Sequence, residues 1–192
     1  MKRVILGSGS PRRKELLAGL NIDFEVDTRN DFKESVDASL SPGDVPVKMA
    51  EGKSHGFHRP LLEDEVLVTA DTVVIIDGKV LGKPHSREDA VKMLRLLSGK
   101  THEVVTGVTV RDSSREMTFS DSTLVTFAPM TDSDIFYYVD TYRPYDKAGA
   151  YAIQEWIGYA FITEIRGSFY NVMGLPVHRV FEALSEFGVR AS

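Results

Sequence analysis

The run EVLVTADTVVIIDGKVL, residues 65–81, admits few structures. It is apolar and rich in β-branched residues, and Asp77-Gly78 supplies a two-residue turn, so it reads as a strand pair in a buried sheet. The other elements must be arranged around that sheet. RVIL, residues 3–6, reads as a short buried strand, followed by a helix with Ser10 as N-cap, Pro11 at its first position and Leu16, Leu17 and Leu20 on one face. Residues 27–45 are polar and irregular, and VPVKMAEGKSHGF at 45–57 reads as a helix begun by Pro46 and weakened by Gly52.

The clearest helix is SREDAVKMLRLLSG, residues 86–99, with Ser86 and Asp89 at its start, Ala90, Met93, Leu94 and Leu97 on its apolar face, and Gly99 as its stop. Strands are expected at about 102–111 and 118–128. Thr131 and Asp134 repeat the capping signal ahead of a helix closed by Pro144. A Gly-rich stretch at 146–158 then leads to a strand near 159–165, a turn at Gly167, a strand near 169–173 and a last helix from Pro176 carrying Val177, Val180, Phe181 and Leu184. Strands and helices are interspersed throughout, so the fold class is α/β with a mixed sheet. At 192 residues and 42% hydrophobic content, the expectation is a single domain over residues 1–192.

Several function classes fall away. No apolar run approaches the roughly 20 residues that span a bilayer, and the N-terminal segment does not read as a signal peptide, so a cytoplasmic protein without membrane contact is expected. The absence of cysteine excludes thiol nucleophiles, zinc ribbons and disulfide frameworks. The five histidines show no paired ligand spacing. A net charge of −5 argues against a nucleic-acid partner but permits a local cationic pocket.

Four polar features fit poorly with purely structural roles. In LGSGSPRRKELLAGL, residues 6–20, Arg12 and Arg13 occupy the positive end of a helix dipole, where cations are unfavourable unless an anion is near or the side chains turn to solvent. Gly7 and Gly9 leave the backbone approachable, so the loop with Ser8 suits phosphate. It lacks the third glycine of a dinucleotide fingerprint and the Gly-Lys-Ser/Thr of a P-loop. Asp71 puts a carboxylate inside the most apolar segment, where it either caps a strand end or faces a ligand crevice to hold a hard cation or accept a proton. Lys53 and Lys83 are further cations for such a site, or surface charges, and Glu34 offers a second carboxylate for a metal. Gln154, closing DKAGAYAIQ at 146–154, is an amide able to read a base edge or simply to end a loop.

The blocks SGSPRR (8–13), KMAEGKS (48–54), ADTVV (70–74), GKP (82–84), LLSGKTHEVVTGV (96–108), DKAGAYAIQ (146–154) and YNVMGLPV (170–177) together resemble the Maf family of nucleoside triphosphate pyrophosphatases. The resemblance covers nearly the whole chain. It implies an elongated, twisted sheet flanked by helices, of the inosine-triphosphate-pyrophosphatase type, with two lobes around a cleft. It further implies a divalent cation, magnesium or manganese, a homodimer, and hydrolysis of a nucleoside triphosphate to monophosphate and pyrophosphate. The family's proton acceptor falls on Asp71 and its specificity positions on Arg12, Thr72 and Gln154, in the pattern of the branch acting on dTTP and UTP, ordinary or modified. Asp71 and Glu34 would then hold the cation, and Ser8, Arg13, Lys53 and Lys83 the phosphates.

Three positions depart from the pattern. Gly7 replaces a common alanine, KES stands at 33–35 for an acidic pair, and Glu155-Trp156 replaces a small apolar pair, setting an indole beside the implied base pocket. The competing readings are the 7-methylguanosine triphosphate branch of the family and a nucleotide-binding regulator of septum formation.

Overall fold

A computed structural model describes residues 2–35 and 37–191. Its elements are β1 (Arg3–Leu6), α1 (Pro11–Ala18), β2 (Phe24–Val26), α2 (Val45–His55), β3 (Glu65–Ile76), β4 (Lys79–Leu81), α3 (Arg87–Leu97), β5 (Thr101–Arg111), β6 (Glu116–Phe127), α4 (Asp132–Tyr142), α5 (Trp156–Phe161), β7 (Ile162–Arg166), α6 (Phe169–Met173) and α7 (Val177–Glu186). Seven strands form one sheet in the order β2-β1-β3-β5-β6-β7, with β4 paired to β3. The sheet is mixed, since β1 runs parallel to β2 and β3 while β3–β4 and β6–β7 are antiparallel. This is the expected α/β class.

The run at 65–81 is the predicted hairpin, turning through Asp77 and Gly78, both at positive φ as a type I′ turn requires. The helix starts at Ser10, Ser86 and Thr131 are borne out by side-chain caps: each oxygen accepts the N–H of the residue three further on, and Thr131 forms a full capping box with Asp134. Four details differ from expectation. β2 is an additional strand. Residues 156–161 are the helix α5, and β7 begins only at Ile162. Residues 169–173 are the short helix α6 rather than a strand. In α7 the buried face is Val180, Ala183 and Leu184, while Phe181 is exposed.

The chain divides into two compact units. The first comprises Met1–Asp71, Thr106–Asp121 and Gly174–Ser192, and the second Thr72–Val105 and Ser122–Met173. In the first, Ile5, Phe57, Leu61 and Leu67 form a core cluster around the parallel strands. The start of β3 is fixed by the buried Glu65, which receives both Nη atoms of Arg59 at 2.7 and 2.9 Å and the N–H of Leu62 at 2.9 Å. Those bonds, Arg59 foremost, hold the Glu65 carboxyl below its ordinary range. In the second unit, α3, α4 and α5 bury Leu94, Leu97, Ile135, Tyr138 and Ile157 together with Val74, Val104 and Phe127 of the strands. Gly149, at φ 68°, lies so close to Val74 that a Cβ there would sit 3.1 Å from its Cβ.

Candidate active site

The burial pattern of β3 shows where the sheet yields to chemistry. Ten of its residues are buried and only Asp71 and Thr72 are partly open. Asp71 is not at a strand end but at mid-strand. Even so, it lies beyond Val68, the last β3 residue in register with β1, at the carboxyl end of that parallel pair and therefore the end from which the 7–10 loop departs. This is the end at which parallel α/β sheets bind ligands.

α2 delivers Lys53 to the same place. The helix is pinned to β3 by Thr69 Oγ1 donating to the Ala50 carbonyl at 2.8 Å, and to β5 by Arg111 donating to Ser54 Oγ at 3.0 Å and its carbonyl at 2.7 Å. From its last turn Lys53 Nζ reaches Asp71 Oδ1 at 2.9 Å and Glu34 Oε1 at 3.0 Å. One ammonium thus stands between the two carboxylates singled out in the sequence.

Glu34 lies in an irregular segment that needs an external hold. Phe32 provides it by packing against α2 at Gly52, where any Cβ would run into the ring. Asn30 Nδ2 donates to the Lys53 carbonyl at 2.5 Å, and the Asp31 N–H donates to the Gly56 carbonyl at 2.8 Å. The glycine that weakens the helix in sequence terms is what lets Phe32 dock and bring Glu34 to Lys53. Neither Phe32 nor Asn30 is evident from the sequence; their signal is the misplaced glycine opposite an aromatic residue in a polar stretch.

α1 brings Arg13 in. Its N–H is capped by Ser10 Oγ at 3.4 Å, its Nε donates to the Gly174 carbonyl at 2.8 Å and its Nη1 to Ser8 Oγ at 3.3 Å. Burial lowers the pKa of the guanidinium, the charge of Asp71 opposes that shift and the charge of neighbouring Arg12 adds to it. Arg13 stays charged nonetheless, since guanidinium does not deprotonate in proteins. Ser8, Arg12, Arg13, Glu34, Lys53 and Asp71 belong to one unit, where Lys53 pairs with both Asp71 and Glu34 and Arg13 lies in the field of both carboxylates. The arrangement offers concentrated positive charge beside two hard oxygen donors.

The remaining candidates, Thr72, Lys83 and Gln154, belong to the second unit. Thr72 follows Asp71 directly on β3. Lys83 is exposed in the loop after β4, and the Gly149 N–H donates to the Gly82 carbonyl at 3.0 Å, tying the GKP loop to the stretch that carries Gln154. Gln154 Oε1 is buried without a hydrogen-bond partner among the described residues. A buried acceptor left unpaired carries a desolvation penalty that an incoming donor would remove. Trp156 packs edge-on against Tyr137 and Phe161 at 4.8 and 5.6 Å. The Glu155 N–H donates to the Ala152 carbonyl at 3.1 Å, and its carboxylate accepts the Tyr138 hydroxyl at 2.5 Å.

No group of three or more His, Asp or Glu residues suited to a metal occurs among the described residues; Asp71 and Glu34 are two carboxylates joined through Lys53. Nor is any helix there long and apolar enough to cross a membrane.

Comparison with known proteins gives the family of the chain. The chain is 53% identical over 188 residues to a dTTP/UTP pyrophosphatase of Porphyromonas gingivalis, covering 97% of this chain and 94% of that one. It is 47% identical over 184 residues to a dTTP/UTP pyrophosphatase of Bacteroides thetaiotaomicron, covering 96% and 95%. Among solved structures, a HAM1 protein from Coxiella burnetii is 13% identical and matches 97% of this chain and 100% of that chain at a TM-score of 0.49, too distant to inform fold or chemistry. The model of the family described as Maf-like protein matches residues 3–187, and the chain belongs to that family.

Proposed function

We propose that the protein hydrolyses pyrimidine nucleoside triphosphates, dTTP and UTP foremost, to the monophosphate and pyrophosphate. The observation that carries this reading is the convergence of Asp71 and Glu34 on Lys53 beside the inward-turned Arg13. The names of the relatives support the choice of substrate.

Two carboxylates are a donor set suited to magnesium or manganese, hard cations that keep several waters and take further oxygens from phosphates. Held by Asp71 and Glu34, such an ion would neutralise phosphate charge and ease loss of a proton from water. Asp71 accepts the proton of the water whose oxygen attacks the α-phosphorus; the bond from that phosphorus to the bridging oxygen breaks, and pyrophosphate leaves. Lys53, Arg13, Lys83, Ser8 and the N–H groups at the start of α1 hold the phosphates and stabilise the departing charge. Arg12, Thr72 and Gln154 select the base and sugar, with the unpaired Gln154 Oε1 available to accept from the imide N–H of thymine or uracil.

The test is pyrophosphate release from dTTP, UTP, dCTP, dGTP and 7-methylguanosine triphosphate, with magnesium and with EDTA. Cleavage of dTTP and UTP that EDTA abolishes is expected. Preference for the methylated guanosine substrate would overturn the branch assignment, and binding without turnover would favour a regulatory protein.

A further inference from the structure

Gln154 lies in a turn outside regular structure, closed by the Glu155 N–H donating to the Ala152 carbonyl at 3.1 Å. Its Oε1 makes no bond among the described residues, so the placement of the amide leans on what holds the turn. Beside the backbone bonds, a buried phenol contributes to that hold. Tyr138 of α4 is fully buried; its hydroxyl accepts the Ala152 N–H at 3.1 Å and donates to Glu155 Oε2 at 2.5 Å. One oxygen therefore ties both residues that flank Ile153-Gln154.

The direction of these bonds is fixed. An amide N–H only donates and an ionised carboxylate only accepts, so the hydroxyl has one arrangement that satisfies both. On its other oxygen, Glu155 takes Lys147 Nζ at 3.4 Å, and that ammonium is also paired with Asp146 at 2.9 Å. Burial and the neighbouring Glu155 carboxylate push the Tyr138 hydroxyl upward in pKa, so it keeps its proton across neutral pH.

We infer that Tyr138, acting through Glu155 and Lys147, is a positioning residue for substrate selection, holding the 152–155 turn so that the Gln154 amide meets the pyrimidine edge. This rests on the base-reading role given to Gln154 above. The Glu155 that departs from the small residue expected by resemblance is thereby part of the selection device.

The test compares wild type with Tyr138→Phe, Glu155→Ala, the double variant and Gln154→Ala, measuring kcat/KM for dTTP and dGTP together with Tm. Tyr138→Phe is expected to lower the dTTP:dGTP ratio by about tenfold, the worth of one ordinary hydrogen bond, while kcat for dTTP changes little because Asp71 is untouched. Glu155→Ala should lower the ratio similarly, and the double variant no further than either single change, because both act on one hold. Should Tyr138→Phe fail to fold, Glu155→Ala, altering a partly exposed side chain, carries the test. If both variants lower Tm but keep the wild-type ratio while Gln154→Ala collapses it, Tyr138 and Glu155 are structural only and the proposal is overturned. If Gln154→Ala itself leaves the ratio unchanged, the base-reading role is wrong and the proposal falls with it.

Discussion

Asp71 is the residue on which the proposed chemistry turns, an acid in the partly open middle of an otherwise buried strand. An apolar strand of twelve residues opens at it and at Thr72, and the surrounding charges are arranged on its carboxylate: Lys53 at 2.9 Å, with the field of Arg13 beside it. The Lys53 ammonium pairs with both Asp71 and Glu34, so the two carboxylates share one cation. Asp71→Asn keeps the shape of the side chain and its bond to Lys53 but removes the basic oxygen. It should lower kcat for dTTP by about 10²–10⁴-fold, with Tm within a few degrees of wild type. Steady-state kinetics and calorimetry on the same preparation check this, and retained turnover would remove Asp71 from the role of base.

At the scale of elements, the site depends on how α2 meets an irregular segment. Gly52→Ala improves intrinsic helix propensity, yet places a methyl group against the Phe32 ring. Overpacking of this kind costs about 1–3 kcal/mol, and it displaces the segment that carries Glu34. The expected result is a lower Tm together with a higher magnesium concentration for half-maximal activity; a more stable variant with unchanged magnesium demand would contradict the role given to Phe32. The sequence exposed this element only in part. Its start and its lysine were readable, but a glycine in a helix carries the same propensity whether it is a flaw or a docking site, and only the position of Phe32 distinguishes them. The same limit explains the misplaced elements near the C-terminus. WIGYAF and FYNVM are short apolar stretches whose period does not separate helix from strand, and tertiary packing decided both. β2 was missed because three residues paired to β1 leave no pattern to detect. By contrast, the Asp-Gly turn and the caps at Ser10, Ser86 and Thr131 were readable because their signals are local.

Across the whole molecule, stability carries a mark of one buried base. His102 is enclosed between Phe127 and Tyr151, with Nε2 at 2.6 Å from the Tyr151 hydroxyl, and burial pushes its pKa down from 6.5 to about 4. Above pH 6.5 the ring is neutral in both folded and unfolded chains and contributes no slope. Between 6.5 and about 4 the unfolded chain binds a proton that the native ring refuses, so stability falls with pH by about 3 kcal/mol over that window and the loss is complete near pH 4. Urea unfolding at a series of pH values should show this slope, and His102→Gln should flatten it relative to wild type. The site residues of the first unit were legible in the sequence as oddities of charge, whereas the Tyr138–Glu155–Lys147 hold in the second was not, since it joins α4 to a turn through a phenol that reads as ordinary core.

Attack at the α-phosphorus is tested by where the oxygen of the attacking water goes. Hydrolysis of dTTP in H₂¹⁸O with magnesium, followed by ³¹P NMR and mass spectrometry, should give equal dTMP and pyrophosphate with the label on the dTMP phosphate, and Asp71→Asn should form them at least about a hundredfold more slowly. Label in pyrophosphate, or release of dTDP and orthophosphate, would contradict attack at the α-phosphorus.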